Sequence, residues 1–288
     1  MALVRMNELL KDAAKDDRAV GAFNVGNLEM IRGVVQAAEE MNTPFIMQIA
    51  EVRLPHSPLH LMAPMMMEAA RNAKVDVAVH LDHGKSFEVL KQALDYGFTS
   101  VMIDSSAYPY IENVERTKKA RKMADEYNAG LEAELGIVGG NEGNGPAEEI
   151  KCTDPDEAGR FAAETEIDCL AVAIGNAHGN YPVAPNLRFD ALEKIDEKTD
   201  VPLVLHGGTG ITPESFRKAI HLGIRKINIA TANFDSLTHG AEGYLETPGK
   251  HNYFKLNEAM IEGVYKNVKK HILIFNNETS LDSIRKDA

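Results

Sequence analysis

VDVAVHLDHGKSFEVLKQALDYGFTSVMIDSS, residues 75–106, holds two short apolar segments, VDVAVHLDHG (75–84) and SVMIDSS (100–106), on either side of SFEVLKQALDYG. The outer segments are rich in apolar and β-branched residues and read as strands, while the middle one has helical periodicity. Ser86 can cap free backbone N–H groups and Gly97 permits a left-handed stop, so the helix is expected to start and end there. Both strands finish in polar residues: Asp82 and His83 close the first, and Asp104 closes the second.

The same alternation runs along the chain. AVGAFNVG (19–26), PFIMQIA (44–50), GLEAELG (130–136), CLAVAIGNAHG (169–179), PLVLHGGTG (202–210) and KINIATA (226–232) bring the strand segments to eight. Runs such as LAVAI and PLVL suit strands buried on both faces, as in a parallel sheet covered by helices. TPESFRKAIHLG repeats the Thr start and Gly stop of a capped helix. Eight such units predict an α/β protein with a (β/α)8 TIM barrel, although alternation alone does not show closure and a doubly wound open sheet competes. The chain has 288 residues, 44% of them apolar, enough for one core, and a single domain over 1–288 with a C-terminal helical extension is expected. GIVGGNEGNGPAEEIKCTDP (136–155) and THGAEGYLETPGKHNYF (238–254) break the pattern and are expected to be lids or binding loops.

Composition narrows the function. A formal charge of −12 argues against a general nucleic-acid binder, which needs a cationic surface. No run approaches the roughly 18 to 20 apolar residues of a membrane span, and MALVRMNELLKDAAKDD reads as an amphipathic helix and not as a signal peptide, so a cytoplasmic location is expected. Cys152 and Cys169 fit neither a disulfide framework nor a CxxC motif and read as ordinary thiols. Met62, Met65, Met66 and Met67 fall within two turns of one helix and read as packing.

In a barrel the reacting groups gather at the C-terminal strand ends. There lie His83, His178 and His206, each followed by Gly. Neutral imidazole is the commonest zinc ligand, and three of them leave a coordination position open for substrate. Any one of these histidines could equally be a satisfied structural residue, and His56, His60, His221, His239 and His251 lie on helices or loops with no role assigned. Asp82, Asp104, Glu132 and Glu134 share the rim. In GLEAELG the two glutamates face the same way by the period of two, and Glu134, nearer the strand end, is the better metal contact. For Asp104 and Glu132, orienting the ligands is as good a reading as ligation. GGTG (207–210), before a helix starting near Thr212, and NIAT (228–231) after it can offer backbone N–H groups and hydroxyls to a phosphate.

AFN, HLDHG, VMIDSS, EAELG followed by GG, GNAHG, LHGGTG and KINIAT occur in this order, and the chain from about residue 2 to about residue 235 resembles the class II, zinc-dependent ketose-bisphosphate aldolases, which include the fructose- and tagatose-bisphosphate enzymes. The resemblance implies a catalytic zinc on His83, His178 and His206, with Asp104 and Glu134 around alternative metal positions. It implies Asp82 as the acid or base at the C4 hydroxyl, and Glu142 in the Gly-rich loop as a mobile proton carrier. Asn24, Gly179, Gly207, Gly208, Thr209, Asn228, Ile229, Ala230 and Thr231 match positions that bind dihydroxyacetone phosphate. A monovalent cation near the phosphate loops and a homodimer or homotetramer are further implications, with the helical segment from about 252 to 275 and the Met-rich helix as candidate contacts.

The sequence also departs from the family pattern. Ala230 stands where fructose-type members carry an Asp, tagatose-type members tend to have NVAT-like sequences, and a Ser often found after the second strand is replaced by Ala50, with Arg53 nearby. No arginine matches a distal C6-phosphate site. The expected activity is reversible cleavage of a fructose- or tagatose-type ketose 1,6-bisphosphate to dihydroxyacetone phosphate and an aldehyde such as glyceraldehyde 3-phosphate, or the same reaction on another ketose 1-phosphate. Three other readings stay open. A Schiff-base aldolase would need a buried lysine, and Lys226, the best placed, begins its strand at the wrong end. A metal-dependent hydrolase could use the same ligands. A non-catalytic sugar-phosphate-binding barrel is the third.

Overall fold

A computed structural model of the protein describes residues 3–140, 149–180 and 185–277. Eight strands form the sheet: β1 Val20–Asn24, β2 Phe45–Ala50, β3 Val77–Gly84, β4 Ser100–Ile103, β5 Gly130–Leu135, β6 Cys169–Val172, β7 Leu203–Leu205 and β8 Ile224–Ile229. Every pairing is parallel, each strand lies between its sequence neighbours, and β8 pairs with β1 through Ala22 and Asn228 to close the barrel. Closure excludes the open doubly wound sheet.

The helices are α1 Met6–Lys15, α2 Leu28–Glu40, α3 Leu59–Asn72, α4 Phe87–Asp95, α5 Tyr110–Glu126, α6 Pro155–Thr165, α7 Phe189–Asp196, α8 Pro213–His221, α9 Thr231–Leu245 and α10 Tyr253–Phe275. Local chemistry sets several boundaries as expected. The Ser86 hydroxyl accepts from Val89 N, the Thr212 hydroxyl accepts from Ser215 N, and Gly97 takes φ +90° after α4.

Alternation along the strands divides the core in two. Phe23, Met47, Val79, Val101, Leu131, Leu170, Leu205 and Ile227 point outward into the main cluster beneath the helices, with Met62, Met66 and Met67 of α3 buried in it. The intervening positions face the barrel axis. Near the N-terminal strand ends these are Val20, Ala22, Ile46, Ala78, Met102, Cys169, Ala171 and Val204, packed against Met6, Leu9, Leu10 and Ala13 of α1. The amphipathic N-terminal helix is thus a plug for one end of the barrel. Cys169 is buried in this cluster and Cys152 is exposed, both as thiols.

Three expectations need correction. The stretch 238–254 is not a loop: α9 continues through Leu245, and only 246–252 separates it from α10. Gly240 serves a close helix crossing, because a Cβ there would lie 2.3 Å from Ala259 O on α10. Strand six ends at Val172, and Ala177–His178 instead forms a short parallel pair with Gly139–Gly140. The eighth strand ends at Ile229, and Thr231 begins α9. Among the described residues no helix is long and apolar enough to cross a membrane.

Candidate active site

At the C-terminal end of the barrel the inward positions turn polar. β1 contributes Asn24, β2 Gln48, β3 His80 and Asp82, β5 Glu132 and Glu134, and β8 Lys226 and Asn228, all buried. His83 follows Asp82 with φ +41°, a left-handed backbone that costs a non-glycine residue energy and turns its ring toward the rim beside Asp82. His206 stands just past β7, fully buried, and Asn176 braces it by donating Nδ2–H to His206 O at 3.1 Å.

The three histidines meet as expected. Ring centroids of His83 lie 4.9 Å from His178 and 4.4 Å from His206, and one ring nitrogen from each of the three falls within 4.8 Å of the others. Carboxylates lie behind two of the rings. His206 Nε2 is 2.7 Å from Glu132 Oε1, and His83 Nδ1 is 3.0 Å from Asp104 Oδ2. Each carboxylate accepts the ring proton on its own side, which leaves lone pairs on His206 Nδ1 and His83 Nε2, 2.6 Å apart. Two such lone pairs repel until a cation accepts both, so this donor set fits a divalent metal. Burial pushes the pKa of both His178 and His206 well below the usual imidazole value, keeping them neutral, as ligation requires.

Asp104 sits on the outer nitrogen of His83, the orienting position, while His83, Asp104 and Glu134 also bring donor atoms within 4.8 Å of one another. Burial would raise the Asp104 carboxyl, but His83 and the Ser106 hydroxyl and N–H hold it far below the ordinary carboxylate range. Glu134 Oε2 lies 3.9 Å from His206 Nδ1. Glu142 lies outside the described residues.

Asp82 is held by three amide groups. Asn24 Nδ2 (3.0 Å) and Gln48 Nε2 (3.2 Å) donate to Oδ2, and Asn228 Nδ2 (3.0 Å) donates to Oδ1. Burial raises its pKa, but the positive charge nearby, that of Lys226 included, and the Asn24 amide outweigh burial and lower it. Asp82 is therefore an ionised acceptor aimed at the pocket.

Two contributors were not expected at the site: Gln48 drew no notice in the sequence, and Lys226 was set aside as lying at the wrong end of its strand. Gln48 bridges Asn24 Oδ1 (2.7 Å) and Asp82. Lys226, with no exposed surface, lies 2.8 Å from Glu132 Oε2 and donates to Asn228 Oδ1 at 2.7 Å. It links the carboxylate behind His206 to the amide on Asp82. The usable signal was parity: Lys226 and Asn228 are two residues apart, so both face the axis.

The adjoining pocket is lined by Asn24, Ala50, Arg53, Asp82, His178, Gly179, Gly207, Gly208, Thr209, Asn228, Ala230 and Thr231. Every expected phosphate-site residue lies there except Ile229, which is buried behind it in the outward-facing core. Gly207 has φ +64°, and a Cβ there would lie 2.1 Å from Ala177 O, so glycine lets the turn pass this close to the rim of strand six. The helix start in the lining is that of α9, at Thr231, and not that of α8, whose first residue Pro213 is outside it. Thr209 Oγ1 accepts from Ala232 N at 3.0 Å and ties the two phosphate segments together.

The family described as class II fructose-bisphosphate aldolase matches residues 4–280. A fructose-bisphosphate aldolase of Geobacillus stearothermophilus is 44% identical over 238 residues, 81% of this chain and 82% of that one. A probable fructose-bisphosphate aldolase of Bacillus subtilis is 44% identical over 237 residues, 81% and 83% of the two chains. The crystal structure of the YdjI aldolase from Escherichia coli K12 superimposes with a TM-score of 0.85 at 33% identity, covering 95% of this chain and 97% of that one. This chain belongs to the class II fructose-bisphosphate aldolase family and is a metal-dependent aldolase.

Proposed function

We propose that the protein cleaves a ketose 1,6-bisphosphate of the fructose or tagatose type reversibly to dihydroxyacetone phosphate and glyceraldehyde 3-phosphate. The observation that carries this reading is the meeting of the histidine cluster, the ionised Asp82 and the pocket lined by the two Gly- and Thr-bearing segments at one end of the barrel. Zinc is the proposed metal, held by His83, His178 and His206, with Glu134 and Asp104 beside an alternative position. When bound, it supplies Lewis-acid polarisation of the ketose carbonyl.

The chain's own residues do the rest. Asp82 takes the proton of the C4 hydroxyl as the C3–C4 bond breaks, and the bonding pair stays with the dihydroxyacetone phosphate half. The amides of Asn24, Gln48 and Asn228 fix the carboxylate so that its proton transfer has one geometry. Glu132 and Asp104 hold the ring protons of His206 and His83 on the sides away from the reacting centre. Glu142 is proposed to return a proton to C3. The phosphate of the dihydroxyacetone half is assigned to Gly179, Gly207 to Thr209, Asn228, Ala230 and Thr231, with a monovalent cation beside them. We further propose a single-domain chain acting in the cytoplasm as a homodimer or homotetramer.

Dihydroxyacetone phosphate release from fructose and tagatose 1,6-bisphosphates, with chelator and with zinc added back, tests the reading. Release that chelator abolishes and zinc restores is expected. The preferred epimer shows whether Ala230 admits the tagatose configuration. Release that survives thorough metal removal would overturn the assignment.

A further inference from the structure

We propose that Arg53 supplies the permanent positive charge that clamps the substrate phosphate. It sits in a short 3-10 turn, Glu51–Arg53, immediately after β2, and its side chain lines the pocket beside Gly208, Thr209 and Thr231. The turn is fixed at both ends. Glu51 accepts from Lys85 N (2.6 Å), Ser86 N (3.2 Å) and the Ser86 hydroxyl (2.9 Å), and Arg53 O accepts from both His56 N and Ser57 N at 2.9 Å. Glu51 is thereby committed to α4 and does not neutralise Arg53.

The guanidinium lies 5.1 Å over the ring of Phe234, in the first turn of α9. That stacking holds it next to the helix start at Thr231 without using its N–H donors. The one carboxylate in the pocket lining, Asp82, is occupied by three amides, and among the described residues no carboxylate pairs with Arg53. Ala50, at the end of β2, offers no hydroxyl to the pocket. An unpaired planar fork beside Gly-rich backbone and a helix start matches a phosphate ester, which accepts two parallel N–H bonds. In a chain of net charge −12, this local cation also favours entry of a strongly anionic, phosphorylated substrate.

The assignment rests on the aldolase reading only for the identity of the ester, so binding and turnover are measured separately on the metal-replete enzyme. Inorganic phosphate is titrated calorimetrically into wild type, Arg53→Met and Arg53→Lys, and kcat and KM are measured for the ketose bisphosphate that wild type cleaves. Arg53→Met should weaken phosphate binding by about ten- to a hundredfold and raise KM by a similar factor, with kcat within about threefold. Arg53→Lys should fall between, because it keeps the charge and loses the fork. If Arg53→Met does not fold, a weakened phosphate affinity in a normally melting Arg53→Lys carries the point. Wild-type phosphate affinity in the folded variants, or no phosphate binding by wild type, overturns the inference. Arg53-dependent phosphate binding without cleavage of either ketose would leave the clamp standing and remove the proposed reaction. Normal cleavage with an unchanged KM in Arg53→Met would do the reverse.

Discussion

The two ends of the barrel interior use the same strands and the same alternation, yet differ in what they place on the axis. Moving two residues along a strand turns Ala22 into Asn24, Ile46 into Gln48, Ala78 into His80 and Val204 into His206. The N-terminal end, closed by α1, removes apolar surface from water and gains stability. The opposite end buries Asp82, Glu132, Lys226 and several imidazoles, whose desolvation is costly unless each finds a partner. Glu132 shows how that cost is contained, since one carboxylate meets His206 at 2.7 Å and Lys226 at 2.8 Å. The difference teaches that one end holds the fold, which lets the other hold charges in place.

The largest expected effects lie at the polar end. His206→Ala should lose both the bound metal and measurable cleavage, because it removes a donor from the histidine cluster. Asp82→Ala should keep the metal and lose about 10²- to 10⁴-fold in kcat, the range for a general acid or base. Metal content by elemental analysis, measured beside turnover, separates the two. An Asp82→Ala enzyme that cleaves at the wild-type rate would remove the acid–base role, and a metal-replete, active His206→Ala would remove the ligand assignment.

At the plugged end the effect should be on stability alone. Leu10 is fully buried between α1 and the strand starts, so Leu10→Ala should cost about 2–5 kcal/mol. Its kcat and KM at 25 °C should match wild type. Urea unfolding and steady-state kinetics on one preparation check both halves, and a lowered kcat at full metal occupancy would blur the division between the ends.

Much of that division was legible in the sequence. Eight apolar segments with polar endings located the strands, the rim and the three histidines, because alternation and strand-end position are local properties. The partners of those residues were not local. Lys226 meets Glu132 only because β8 and β5 face each other across the closed barrel, and a strand read in isolation made Lys226 look misplaced. The helix through Gly240 was missed for a similar reason: Gly240 reads as a breaker until α10 packs against it. The α9 start in the phosphate pocket was hidden because KINIATA runs from strand into helix with no capping side chain at Ala230.

The smallest effect concerns a buried histidine belonging to neither end. His271 of α10 packs against Phe216 and Phe275, and its Nδ1 lies 2.8 Å from Asn267 O. Burial pushes its pKa down to about 4, with Lys270 adding in the same direction and the Asn267 carbonyl opposing. The unfolded chain titrates this group near pH 6.5. Below that pH the unfolded state binds the proton and the folded state does not, so the stability is complete above about pH 6.5 and is lost as pH falls toward about 4. Between pH 7.5 and 5.5 the loss should be about 1.4 kcal/mol, one pH unit below the unfolded value. His271→Phe should remove that slope and leave kcat unchanged, since the residue touches no part of the pocket. Urea unfolding of both proteins at the two pH values decides it: equal slopes would place the acid sensitivity at the histidines of the polar end.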